Sequence, residues 1–222
     1  MPRLIAALGA LALLAALPTA TLAGVPQNQY QVISSRNADA AFSLSDGGCL
    51  QTSAFISSSR SIFGGRPGPV NKQGLTGVLL VVEDTCQPRE GKHFPAVLSI
   101  QAQDMIPLVT TARMDRASVK ATFKTSDEVS GEPISVALDL HWVLEGTMQH
   151  DPSHAHFRLR EAGVVNAHEN DKLGNATAWG SVTVGSSVIT LASTTDAHLQ
   201  MIRGGCQVIV WPHAISDELA CI

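Results

Sequence analysis

The stretch Val136-Ala-Leu-Asp-Leu-His-Trp-Val-Leu144 decides the fold class. Val136, Leu138, Leu140, Trp142 and Leu144 occupy every second position, with Asp139, His141 and Val143 between them. A period of two sends successive side chains to opposite faces of a strand. The stretch therefore predicts a half-buried β-strand with an apolar inner face and a mostly polar outer one.

Working outward, a second alternating run follows. Ala155, Phe157 and Leu159 share one face, and His154, His156, Arg158 and Arg160 the other. Folded back through Gly146 to Ser153, the two runs predict an antiparallel hairpin over 134–161. One register suits both faces. It sets Trp142 against Phe157, Leu140 against Leu159 and Leu144 against Ala155 on the inner side. On the outer side it sets Glu145 against His154, His141 against Arg158 and Asp139 against Arg160. A slip of one residue would invert the faces.

The same grammar extends along the chain. Val119, Ala121 and Phe123 alternate with Lys120, Thr122 and Lys124. Ala96–Ala102 is a further strand. Leu75–Val82 is nearly all apolar and reads as a central strand covered on both sides. Ser181–Thr190 predicts a hairpin, with Gly185-Ser186 as a two-residue turn whose glycine supplies the positive φ of type II′. Thr195–Arg203 reads as either a short helix or an edge strand. Breakers fall at Gly64–Pro69, Pro88–Gly91, Ser130–Pro133 and Arg203–Gly205. Many short alternating runs divided by turn clusters predict an all-β chain. The expected form is a single antiparallel β-sandwich spanning 24–222, with a barrel as the runner-up.

The N-terminus sets the compartment. Arg3, the apolar run Leu4–Leu17 and the small residues of Thr21-Leu-Ala23 follow the order of a cleavable signal peptide over 1–23. The apolar run is shorter than the roughly 20 residues a membrane helix needs, and no later run reaches that length. A secreted or periplasmic product without a membrane span is expected. The formal net charge is −4, which argues against a nucleic-acid partner.

Cys49, Cys86, Cys206 and Cys221 all lie beyond the leader, and an even count in an oxidising compartment favours disulfides. A hairpin from 50–62 to 75–85 would bring Cys49 to Cys86, leaving Cys206 for Cys221. Swapped pairings stay open, because spacing does not dictate connectivity.

Three clusters carry candidate chemistry. His141, Glu145, His150, His154 and His156 form a histidine-rich stripe on the predicted hairpin. Imidazoles at that spacing suit zinc or copper or acid–base work; the alternative is a solvated face of cross-strand ion pairs. Trp179 alternates with Thr177, Ser181 and Thr183, so its indole either stacks on a sugar or peptide ligand or covers a sandwich edge. Glu83 and Asp84 either pair with Asp104 or face a loop. There is no Gly-x-Ser-x-Gly elbow and no His-Glu-x-x-His helix, and no other cofactor is expected. Asn175-Ala-Thr177 matches a glycosylation sequon, which matters only in a eukaryotic secretory pathway.

Three elements together carry a resemblance: Val136–Trp142 followed by Glu145-Gly146, then His156-Phe-Arg158, then Ala176–Val182. The stretch 134–183 resembles exported bacterial β-sandwich proteins of no assigned activity. The resemblance implies the fold and transfers no catalytic residue. The expected function is a non-enzymatic exported module with a binding or structural role toward an extracellular ligand or protein. The alternative is an extracellular metal-binding protein or metal-dependent hydrolase built on the 141–156 hairpin.

Overall fold

Alternating sequence becomes strand along almost the whole chain. The computed structural model describes residues 28–66, 71–89, 91, 93–159 and 163–210. The predicted leader and its cleavage site lie outside these residues, as do Arg160 and Cys221. The described residues form eleven strands: β1 (Asn28–Ser45), β2 (Leu50–Arg66), β3 (Asn71–Asp84) and β4 (Ala96–Asp104). β5 (Val109–Thr110), β6 (Arg116–Ser126), β7 (Pro133–Leu144) and β8 (Gln149–Leu159) follow. β9 (Gly163–Val184), β10 (Ser187–Thr194) and β11 (Ala197–Val210) complete the set. The described residues contain no α-helix.

All pairing is antiparallel, in the order β4-β3-β2-β1-β11-β9-β7-β6-β5, with β8 and β10 attached to β9. The path ends at β4 and β5, which do not pair with each other, so the sheet does not close into a barrel. β9 organises the whole. Its residues 163–175 lie beside β11 and its residues 176–184 beside β7.

That arrangement corrects the predicted 134–161 hairpin. β7 and β8 do not pair with each other. β7 runs along the C-terminal part of β9, with Trp142 opposite Ala178, while β8 runs along the N-terminal part, with Phe157 opposite Val165. Residues 145–148 therefore pass the chain onward without reversing it. A 22-residue β9 is long enough to serve both strands end to end. The predicted faces of β7 survive, because a strand keeps its alternation whichever neighbour it takes. Val136, Leu138, Leu140 and Trp142 are all buried.

The core draws on both sides of β9. Ala38, Ala40 and Phe42 of β1, Ile56 of β2 and Leu80 of β3 join Val119 and Phe123 of β6 and Leu140 and Trp142 of β7 in one cluster. Trp142 has Ala117 and Ala178 as cross-strand neighbours, and these small residues leave room for the indole. Gly180 permits β7 and β9 to approach closely, since a Cβ there would lie 2.1 Å from the Asp139 carbonyl oxygen.

The remaining expectations divide. β6 buries Val119, Ala121 and Phe123, and β4 forms as predicted. Val184 pairs with Ser187 around Gly185 at φ +60°, and Ser186 keeps a negative φ, which fits the expected turn. β2 and β3 form their hairpin, and Cys49 is joined to Cys86 at its open end, Cα to Cα 5.1 Å. Cys206 sits on β11; its predicted bridge to Cys221 lies outside the described residues.

Three expectations are corrected. Thr195–Arg203 is neither helix nor edge, because Ala197 onward belongs to β11, an interior strand between β1 and β9. Gly204 and Gly205 do not break that strand but continue it. Gly204 lies so close to β9 that a Cβ would be 3.0 Å from the His168 carbonyl oxygen. β3 is interior to the sheet yet covered on one face only, with Leu75 and Leu79 exposed. A continuous apolar run signals two buried faces only when a second layer covers the outer one. Here Leu79 stands beside Phe55 of β2 instead.

Candidate functional site

The outer face of β5, β6, β7 and β9 carries the candidate site. Register aligns Val109, Ser118, His141 and Trp179 in one row across these four strands. The His141 and Trp179 rings stack with centroids 5.8 Å apart and planes inclined by 23°. That falls within the about 4.5–7 Å of favourable aromatic pairs. Trp179 remains 40% exposed, so the pair keeps an apolar surface open to a ligand.

The next row is polar. Lys120 stands opposite Asp139, and Asp139 opposite Ser181. Lys120 Nζ lies 2.8 Å from Asp139 Oδ2, and His141 Nε2 lies 3.1 Å from Asp139 Oδ1. These groups are well exposed, so the ion pairs contribute little stability. Their effect is positional: Asp139 holds the imidazole in place against the indole. On the opposite side of the row, Thr177 donates a hydrogen bond to the Glu145 carboxylate.

One wall is the segment between β5 and β6. Thr111 N–H donates to the Arg116 carbonyl and Met114 N–H to the Thr111 carbonyl. Met114 adopts φ +60° with its side chain fully buried. A left-handed backbone costs a non-glycine residue about 1–3 kcal/mol, and burial of the side chain offsets it, pinning the loop. Thr111 also donates to Asp115, and this bond first, then backbone hydrogen bonding and nearby arginines, holds that carboxyl below its ordinary value.

Together these elements enclose an open cleft of about 590 Å³ lined by Thr110, Thr111, Arg116, Ser118, His141 and Trp179, among others. Small-ligand sites span about 300–1,000 Å³. Ser118, His141 and Asp139 are the residue types of a nucleophile, base and orienting acid. Catalysis by such a set needs the nucleophile within about 2.6–3.2 Å of the base. No hydrogen bond joins Ser118 to His141 among the described residues.

The predicted site residues separate. His141 and Trp179 meet, and Glu145 joins them at the margin through Thr177. His150, His154 and His156 lie on β8, opposite Lys172, His168 and Asn166 of β9. From the partner of His141 at 179 to the partner of His150 at 172 is seven residues along β9, roughly 23 Å at about 3.3 Å per residue. The five-residue stripe is thus divided between two regions. Glu83 and Asp84 stand at the opposite end of the β3–β4 pairing from Asp104. Among the described residues, one trio of potential metal ligands converges, Cys49, Asp84 and Cys86, and its two sulfurs are bonded to each other.

Sequence reasoning missed Val109, Ser118 and Arg116. The signal was present, since Arg116, Ser118 and Lys120 alternate with Ala117 and Val119, but it becomes a site only when β6 is set beside β7. No protein-family model, curated protein or solved structure matches this chain.

Proposed function

We propose that this protein is an exported, non-enzymatic β-sandwich module that binds a saccharide on the outer face of β6, β7 and β9. The observation that carries the reading is the partly exposed His141–Trp179 stack at the floor of a cleft ringed by hydroxyl and charged groups. A sugar ring has an apolar face that suits an indole and hydroxyls that suit Ser118, Thr110, Thr111 and Arg116. A few placed polar groups around an apolar platform are the usual composition of a small-ligand site. The Cys49–Cys86 disulfide fits an oxidising compartment, and the N-terminal pattern fits export. Ser118 and His141 stand opposite each other without a hydrogen bond between them, which favours binding over catalysis.

The test is a panel of neutral and acidic oligosaccharides screened against the mature protein. Binding of at least one is expected, lost in Trp179→Ala and in His141→Ala without a change in melting temperature. A panel without binders, or binding that survives both substitutions, refutes the reading.

A further inference from the structure

Three arginines on the neighbouring strands β2, β1 and β11 share the inner face of the sheet. Arg36 on β1 stands directly opposite Arg60 on β2, and Arg203 on β11 stands opposite Ser34, two residues from Arg36 on the same face. The face is fixed by alternation. Arg36 continues the series Ala38, Ala40 and Phe42, and Arg60 the series Ala54, Ile56 and Ser58, all buried farther along the strands. The basic cluster is therefore the inner face of the sheet carried past the end of the apolar core.

Like charges directly opposite on neighbouring strands are destabilising. Ion pairing does not relieve them here, since no carboxylate of the described residues lies within 4 Å of any of the three guanidinium groups. Asp104 accepts from the Met105 N–H and Asp115 from the Thr111 hydroxyl, away from the three arginines. Lys72 and Lys172 share the same face, opposite Ile62 and Met201, and add further positive charge.

Arg36 is oriented by the loop that walls the saccharide cleft. It donates to Thr110 Oγ1 at 2.6 Å, to the Thr111 carbonyl at 3.0 Å and to the Ala112 carbonyl at 3.4 Å. Arg60 and Arg203 make no hydrogen bond among the described residues, so their donors are free for a ligand. Beside Arg36 and Arg60 lies a recess of about 130 Å³ lined by Ser34, Arg36, Arg60 and Ile62, and Arg203 stands opposite Ser34 on the neighbouring strand. Burial first, then the charges of Arg203 and Arg60, draws the Arg36 guanidinium below its ordinary value.

We propose that Arg36, Arg60 and Arg203, gathered beside this recess, bind a tetrahedral oxyanion, a phosphate or sulfate group. The planar fork of a guanidinium donates two parallel hydrogen bonds to such a group. Arg60 lines the recess and Arg203 stands beside it, both with uncommitted donors, while Arg36 adds its charge from the recess wall. The bound anion supplies the countercharge that the described residues lack at this place. The group belongs either to a free anion or to the headgroup of an anionic lipid, since both present the same oxygens.

The experiment is thermal unfolding of the mature protein at low ionic strength with and without inorganic phosphate, for wild type, Arg60→Gln and Arg203→Gln. In the absence of phosphate each substitution removes repulsion and is expected to raise the melting temperature. Phosphate is expected to raise the wild-type midpoint saturably, as a ligand bound only by the folded state does. In either variant that rise falls at least tenfold in apparent affinity, and Arg60→Lys keeps part of it. A parallel arm measures co-sedimentation with vesicles of phosphatidylglycerol in phosphatidylcholine against phosphatidylcholine alone. Arginine-dependent binding to the anionic vesicles with no response to free phosphate assigns the site to a headgroup. A response to free phosphate assigns it to the free anion. Destabilisation by both glutamine substitutions in the absence of anion, or responses to phosphate and vesicles unaffected by them, overturns the proposal. So does a wild type that responds to neither.

Discussion

Trp142 donates its indole N–H to the backbone carbonyl of Asp39, 3.0 Å away and 103 residues distant in sequence. The bond crosses from β7 to β1 and joins the two sides of the core at its largest fully buried side chain. It follows that Trp142→Phe, which keeps an aromatic ring but removes the donor, should cost about 0.5–1.5 kcal/mol, the net worth of a typical hydrogen bond. Trp142→Ala should cost about 3–5 kcal/mol through the cavity it leaves. Urea unfolding of the two variants checks both values.

Gly180 is the second point where the site depends on the core. Its Cβ position is occupied by the Asp139 carbonyl and the Leu140 Cα, both backbone atoms that cannot swing aside. Gly180→Ala should therefore force β7 and β9 apart, costing about 1–3 kcal/mol as overpacking does. It should also weaken the neighbouring Trp179–His141 stack, seen as a change in near-ultraviolet circular dichroism.

The Cys49–Cys86 bridge closes a span of 37 residues. By the chain-entropy relation a loop of that size restricts the unfolded chain by about 4 kcal/mol. The Cys49→Ser/Cys86→Ser double variant should lose roughly that much stability while leaving the β2–β3 pairing intact. Unfolding under non-reducing conditions provides the comparison, and wild type in reductant should approach the variant.

Asp127 links the β6–β7 turn to the edge strand β4. Its carboxylate accepts from the Ser130 hydroxyl at 2.6 Å and from the Ser99 and Val129 N–H groups at 3.0 Å each. These bonds, the Ser130 hydroxyl foremost, lower its pKa from 3.8 to about 2. A depressed carboxyl gives stability that is fully present above the unfolded value and is lost as pH falls through the folded one. Wild-type stability should thus decline between about pH 4 and pH 2 more steeply than that of Asp127→Asn. Chemical unfolding across that range, compared between the two proteins, isolates the contribution.

The fold was legible wherever alternation is strong. The faces of β6 and β7, the Gly185 turn and the β2–β3 hairpin all follow from local pattern. The failures share a cause: alternation fixes which way a side chain points but not which strand lies beside it. Phe157 and Ala178 are equally acceptable neighbours for Trp142 by pattern alone. The choice falls to β9, whose length lets it serve β7 and β8 in turn, and that length is invisible in a sequence with Gly174 and Gly180 within it. The histidine stripe fell with the hairpin. The Arg36, Arg60 and Arg203 cluster had no local signal, because Arg203 joins the β1–β2 hairpin only through the long-range pairing of β1 with β11.

The most direct test of the account is the interstrand pattern of backbone nuclear Overhauser effects around β9. Cross-peaks should link residue 141 with residue 179 and residue 142 with residue 178, while residue 154 links with residue 168. That result places His141 and Trp179 on one binding face and the β8 histidines elsewhere. Cross-peaks joining residue 142 to residue 157, with none between 141 and 179, would restore the hairpin and remove the proposed site.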